Sequence, residues 1–259
     1  MKIHQIFFNN SLRNFSYLIS FNDGAIFCID PLNPKEVLST LNDQQLAGII
    51  NTHDHCDHYS GNEELAAAFQ CPVMAHPKAV VPAKNKNLDD QEIIHQLISE
   101  DSQWCLKSIF TPGHTLSHLC VLLEKNNSPY ALFTGDCFFN AGVGNCHNGG
   151  DPEILYQTIS TIFKNLPDET LIYPGHEYIM RNLEFTINYE PRNSNALEFL
   201  KKIKKLNLNE TFFINNMKTE REINTFLRLS SKNLTDSLKL KNSNEKKIFL
   251  TLRELRNSW

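Results

Sequence analysis

Thr52-His53-Asp54-His55-Cys56-Asp57-His58 sets three imidazoles and two carboxylates directly behind the apolar run Leu46-Ala47-Gly48-Ile49-Ile50. A strand that ends in a ligand-rich loop is the reading this pattern dictates. Imidazole suits zinc and iron, and carboxylate adds negative charge, so mixed His/Asp ligation points to a hydrolytic metal centre rather than a structural thiolate site. Five donors exceed the needs of one tetrahedral ion and fall short for two. A binuclear reading therefore predicts further His and Asp residues at the ends of later strands.

Three later segments supply them. Thr111-Pro112-Gly113-His114-Thr115 follows Ile109-Phe110, Thr134-Gly135-Asp136 follows Tyr130-Ala131-Leu132-Phe133, and Tyr173-Pro174-Gly175-His176-Glu177 follows Leu171-Ile172. Each places a ligand type just past a short apolar run, where loops carry chemistry on a rigid scaffold.

These segments resemble the metallo-β-lactamase superfamily, whose THxHxDH motif is matched by Thr52 to His58. Within it they are most similar to the glyoxalase II (hydroxyacylglutathione hydrolase) family, whose GHTxGH segment resembles Gly113 to His118, with Ser117 in place of glycine. Its PGHEY segment resembles Pro174 to Tyr178. The resemblance implies an α/β fold, an αββα sandwich with a C-terminal helical region. It also implies that His53, His55 and His114 hold one metal, that Asp57, His58 and His176 hold the second, and that Asp136 bridges the two. Two divalent ions are implied, zinc first, with iron or manganese also tolerated by this donor set. Asp57 and Asp136 are the implied catalytic carboxylates, Asp57 orienting a hydroxide generated between the metals, since metal binding lowers the pKa of water from about 15.7 to roughly 7. His118 fits a hydrogen-bonding supporter of a ligand better than a ligand.

The resemblance extends to substrate. The family's helical tail ends in an Arg with a second basic residue three positions on, matched here by Arg253 and Arg256, which would grip the glycine carboxylate of glutathione. The rigid donor fork of Arg suits that task. Tyr178 matches a tyrosine that hydrogen-bonds the peptide part of the substrate. The sequence departs where the family has a cation and an aromatic pair: Asn145 replaces the cation and His147 stands at a tyrosine position. An unreplaced charge-assisted hydrogen bond is worth about 1.5–3 kcal/mol. The implied activity is hydrolysis of S-(2-hydroxyacyl)glutathione, S-D-lactoylglutathione above all, to glutathione and a 2-hydroxy acid, D-lactate, as in methylglyoxal detoxification. Other hydrolases on this fold, acting on lactones, β-lactams or phosphodiesters, predict turnover independent of Arg253 and Arg256. A persulfide dioxygenase predicts oxygen consumption with glutathione persulfide.

Composition narrows the class. A formal charge of −4 over 259 residues gives no argument for nucleic acid, and the basic run Lys201, Lys202, Lys204, Lys205 reads as a solvated helix face. Seven cysteines form no CxxC pair, and the odd count fits reduced thiols. The N-terminal apolar stretch is broken by Asn9-Asn10-Ser11 before a signal-peptide core, and no apolar run is long enough to span a bilayer. A cytoplasmic protein with a small-molecule substrate, no membrane association and no obligate protein partner is expected.

Along the chain, strands are expected at 2–8, 15–20, 24–30, 46–51, 73–75 and 171–173, with helices at 34–41, 63–69 and 151–163. Asn33 and Asp151-Pro152 read as helix starts. Ile93, Ile94, Leu97 and Ile98 predict an amphipathic helix over 89–98. Beyond His176 the periodicity turns helical, at 177–189, 194–206, 219–229 and 245–255, with Thr219-Glu220-Arg221-Glu222 as a capped start. The expected division is a metal-binding core over 1–173 and a helical substrate-binding region over 174–259.

Overall fold

A computed structural model describes all 259 residues. The first sheet runs β1 (Lys2–Phe7), β2 (Phe15–Ser20), β3 (Ile26–Ile29), β4 (Gly48–Ile50), β5 (Val73–Ala75), β6 (Lys84–Asn87) in that spatial order. Its first three strands pair antiparallel and the remaining steps are parallel. The second contains β7 (Ile93–Ile98), β8 (Gln103–Phe110), β9 (Leu119–Lys125) and β10 (Ser128–Gly135). A two-stranded hairpin of β11 (Phe138–Phe139) and β12 (Gly142–Val143) follows, and β13 (Leu171–Pro174) completes the second sheet in the order β13-β10-β9-β8-β7.

Helices α1 (Pro34–Leu41) and α2 (Asn62–Phe69) cover the first sheet, burying Val37, Leu41 and Leu65 against Leu18, Ile49 and Val73. Between the sheets, Tyr17, Ile19 and Phe27 face Leu106, Val121 and Phe133. Over the outer face of the second sheet lies α3 (Pro152–Thr161), whose Leu155 and Ile159 meet Cys120, Leu122 and Ile172. Helix, sheet, sheet and helix thus form four layers, the expected sandwich. The chain ends in α4 (Ile179–Tyr189), α5 (Ser194–Ile203), α6 (Met217–Ile223), α7 (Lys232–Ser237) and α8 (Glu245–Asn257). Phe226, Phe249 and Leu252 of this helical region join the same apolar cluster as Leu155 and Phe138. No helix is long and apolar enough to cross a membrane.

Local chemistry explains the elements. Asn33 accepts from the Lys35 amide and Asp151 from the Glu153 and Ile154 amides, each followed by Pro at the first helical position, as expected. Two expectations fail. Residues 93–98 form a strand, not a helix: three β-branched isoleucines disfavour helix, and pairing along β8 from Ile93–Lys107 to Ile98–Gln103 overrides a short apolar pattern that fits either period. The helix expected from Thr219 starts at Met217, because Asn216 accepts the Thr219 amide and is the cap.

Candidate metal centre and adjoining pocket

The carboxyl ends of β3, β4, β8, β10 and β13 converge, bringing Asp30, the 52–58 loop, His114, Asp136 and His176 together. In one set, His53 Nε2 and His114 Nε2 each lie 3.0 Å from His55 Nδ1, and Asp136 Oδ2 is 3.5 Å from His114 Nε2. In the other, His58 Nε2 and His176 Nε2 are 3.3 Å apart, each 3.5 Å from Asp57 Oδ2. Asp136 Oδ1 is 3.4 Å from His58 Nε2 and 3.2 Å from His176 Nε2, so its two oxygens face one set each. Donors about 2.0–2.1 Å from a tetrahedral ion stand about 3.3 Å apart, which is the spacing of both sets. All seven sequence-predicted ligands are therefore gathered in two ligand-like groups joined by Asp136.

The outward ring nitrogens fix which nitrogen carries the proton. His114 Nδ1 donates to the Asn145 carbonyl at 2.7 Å, His176 Nδ1 to the Leu12 carbonyl at 2.7 Å, and His55 Nε2 to the Asn148 carbonyl at 3.0 Å. His58 Nδ1 faces Asp30 Oδ2 at 3.0 Å. Thr52 Oγ1 donates to Asp30 Oδ2 at 2.6 Å and so accepts from His53 Nδ1 at 3.0 Å. Carbonyls and carboxylates only accept, so each of the five imidazoles in its neutral form presents an unprotonated nitrogen inward. Asp136 Oδ1 is buried without a hydrogen-bond donor. Five inward lone pairs and an orphaned carboxylate oxygen fit a divalent cation and little else.

Electrostatics agree. Burial alone would push the His58 imidazole down, but the carboxylates of Asp136, Asp30 and Asp57 lift it to about 10. Burial would raise the Asp136 carboxyl, but His176 and His58 hold it well below the usual range. Burial takes His114 down to about 4. The side of the site around His58 thus favours positive charge. His118 does not hydrogen-bond a ligand as expected: its ring stacks on His53 at 5.3 Å and its Nδ1 meets Thr111 Oγ1 at 2.9 Å.

All five residues read as substrate-binding line one cavity of about 200 Å³: Asn145, His147, Tyr178, Arg253 and Arg256, with Arg181 beside them. The Tyr178 ring stacks on His176 at 5.0 Å, which ties the cavity wall to the histidine cluster. Arg256 donates to Asn182 Oδ1 at 3.1 Å, and Arg253, buried at 4% exposure, donates to the Val143 and Gly144 carbonyls. Sequence reasoning missed Asp30, whose only signal is a polar residue ending an apolar strand. It also missed Arg181, whose helical position 3 residues after Tyr178 gave no cue.

A αββα sandwich with paired His/Asp sets at its strand ends defines a class, and the family model for the metallo-beta-lactamase superfamily matches residues 12–176. A second model, hydroxyacylglutathione hydrolase C-terminus, matches residues 177–259. The chain is 42% identical to the hydroxyacylglutathione hydrolase of Nitrosococcus oceani, with 100% of both chains covered. It is 30% identical to that of Dictyostelium discoideum, with 88% of this chain and 86% of the relative covered. The chain belongs to the hydroxyacylglutathione hydrolase family. Among solved structures, ETHE1 from Myxococcus xanthus shares the fold with a TM-score of 0.66 at 21% identity, covering 99% of this chain and 98% of that one. A metallo-beta-lactamase from Staphylococcus aureus does so at 0.64 and 20%, covering 98% and 71%.

Proposed function

We propose that this chain hydrolyses S-(2-hydroxyacyl)glutathione thioesters, S-D-lactoylglutathione foremost, to glutathione and a 2-hydroxy acid, with two divalent ions, zinc first. One observation carries the reading: an arginine-lined cavity shares a wall, through Tyr178 stacked on His176, with two ligand sets joined by Asp136. His53, His55 and His114 would hold one ion, Asp57, His58 and His176 the other, and Asp136 both. When bound, the ions supply a water-derived nucleophile at neutral pH and polarise the thioester carbonyl. Asp57, whose Oδ2 accepts a hydrogen bond from Asn14 Nδ2 at 2.9 Å, would orient the attacking water. A thiol of ordinary pKa about 8.5 leaves readily, so no strong general acid is required.

Arg253 and Arg256 take a carboxylate of the glutathione moiety, and Tyr178 hydrogen-bonds its peptide part. Arg181 returns to the cavity the cation that Asn145 lacks, and His147 and Asn145 complete the wall. The helical region 174–259 thus supplies most of the substrate wall, joined by Asn145 and His147 of the core, and the core 1–173 supplies every proposed metal ligand except His176. Seven unpaired cysteines accord with a reducing cytoplasm.

The test follows loss of thioester absorbance from S-D-lactoylglutathione with metal-quantified protein. Turnover should vanish on chelation, return with zinc, and show a raised KM in Arg256→Ala. A fully metallated protein that leaves the thioester intact overturns the reading.

A further inference from the structure

The strip between Val143 and Asp151 has almost no regular structure of its own. Its ladder ends where Val143 pairs with Phe138, yet it supplies two of the acceptors that set ring planes in the first histidine set. The Asn145 carbonyl takes the His114 Nδ1 proton at 2.7 Å, and the Asn148 carbonyl takes the His55 Nε2 proton at 3.0 Å. Gly144 lies so close that a Cβ there would overlap the Asp136 carbonyl and come 3.1 Å from His114 Nδ1. An irregular strip in such contact needs an anchor from outside, and α8 provides one. Arg253 Nη1 donates to the Val143 carbonyl at 2.9 Å and to the Gly144 carbonyl at 2.8 Å, while its Nε donates to Asn257 at 3.2 Å. It is 4% exposed, and its hydrogen-bond acceptors are two carbonyls and an amide rather than a carboxylate.

We propose that Arg253 is a positioning residue for the metal ligands His114 and His55, acting through the 144–149 strip, in addition to any contact with substrate. The inference rests on the metal-site reading above. One guanidinium nitrogen, Nη1, donates to two consecutive carbonyls, which fixes where the next carbonyl points and therefore the plane of His114. Through the same strip the clamp reaches Asn148 and His55. The second set is independent of it, since His58 and His176 take their outer acceptors from Asp30 and Leu12. The clamp therefore sets the ring planes of one ligand set only.

The test compares Arg253→Met and Arg256→Met in cobalt-loaded protein, reading solvent exchange of the shifted imidazole N–H protons and metal affinity by chelator competition. Partners of ligating histidines are worth about 10–100-fold in metal affinity. Arg253→Met should speed exchange of the His114 and His55 protons and weaken the site they share by at least roughly 10-fold. The His58 and His176 protons should exchange as in the parent, and Arg256→Met should alter none of the four. Should Arg253→Met fail to fold, Arg253→Lys, which keeps a donor for one carbonyl, should show the same selective pattern more weakly. Unchanged exchange, or equal weakening of both sites, overturns the proposal. A parent protein that binds no cobalt overturns the metal reading itself.

Discussion

Asp30 serves the histidine cluster without belonging to either ligand set. Its carboxylate accepts from the Thr52 amide at 2.8 Å, the Thr52 hydroxyl at 2.6 Å and His58 Nδ1 at 3.0 Å. Asparagine there would keep the shape but turn a donating amide toward two donors. His58 would then have to carry its proton on Nε2, the nitrogen that faces Asp57 and Asp136, and lose its inward lone pair. Asp30→Asn should weaken the Asp57/His58/His176 site about 10–100-fold, with turnover restored by excess metal. Competition titration checks this, and parent-like affinity would contradict it. The seven residues of the two sets were legible in sequence because they lie in short motifs just past strand ends. Asp30 was not, because its role depends on β3 lying parallel to β4, which no local pattern of residues 26–31 specifies.

At the scale of elements, turns and caps did the specifying. Gly113 sits at φ +145 against α3, where an added Cβ would meet Leu155 N at 2.7 Å and overlap its Cα. Gly113→Ala combines backbone strain with overpacking, each about 1–3 kcal/mol, and should lower unfolding free energy by about 3 kcal/mol. Denaturant titration reads this, and a loss under about 1 kcal/mol would mean that α3 shifts freely. Helices α1 and α3 were readable because Asn33-Pro34 and Asp151-Pro152 announce them. Strand β7 was misread because Ile93, Ile94, Leu97 and Ile98 satisfy a helical face, while the deciding term, pairing with β8, is non-local. Strand β6, Lys-Asn-Lys-Asn, has no apolar signal and exists because β5 offers it a parallel edge.

Across the whole molecule, Glu220 links the helical tail to the β11–β12 hairpin. Its buried carboxylate accepts from the Ala141 amide at 2.8 Å, Asn215 at 2.7 Å and Asn224 at 3.1 Å. Burial outweighs those three donors and lifts the carboxyl from 4.5 to about 7. The folded state therefore holds a proton that the unfolded chain has released between these values, so stability falls as pH rises from about 4.5 through about 7. The shift corresponds to on the order of 3 kcal/mol. Thermal unfolding of the parent minus that of Glu220→Gln should decline across this window. A flat difference would show that Glu220 stays ionised.

The apolar cluster that joins Phe226, Phe249 and Leu252 to Phe138, Leu155 and Ile172 has a consequence for diversification. If the tail carries substrate choice, as proposed above, that choice is not a detachable module. A tail grafted from a relative to bring in a different set of cations must also mesh with the hairpin and α3 of its new host. Recognition and hydrolysis can therefore change only in small, mutually compatible steps.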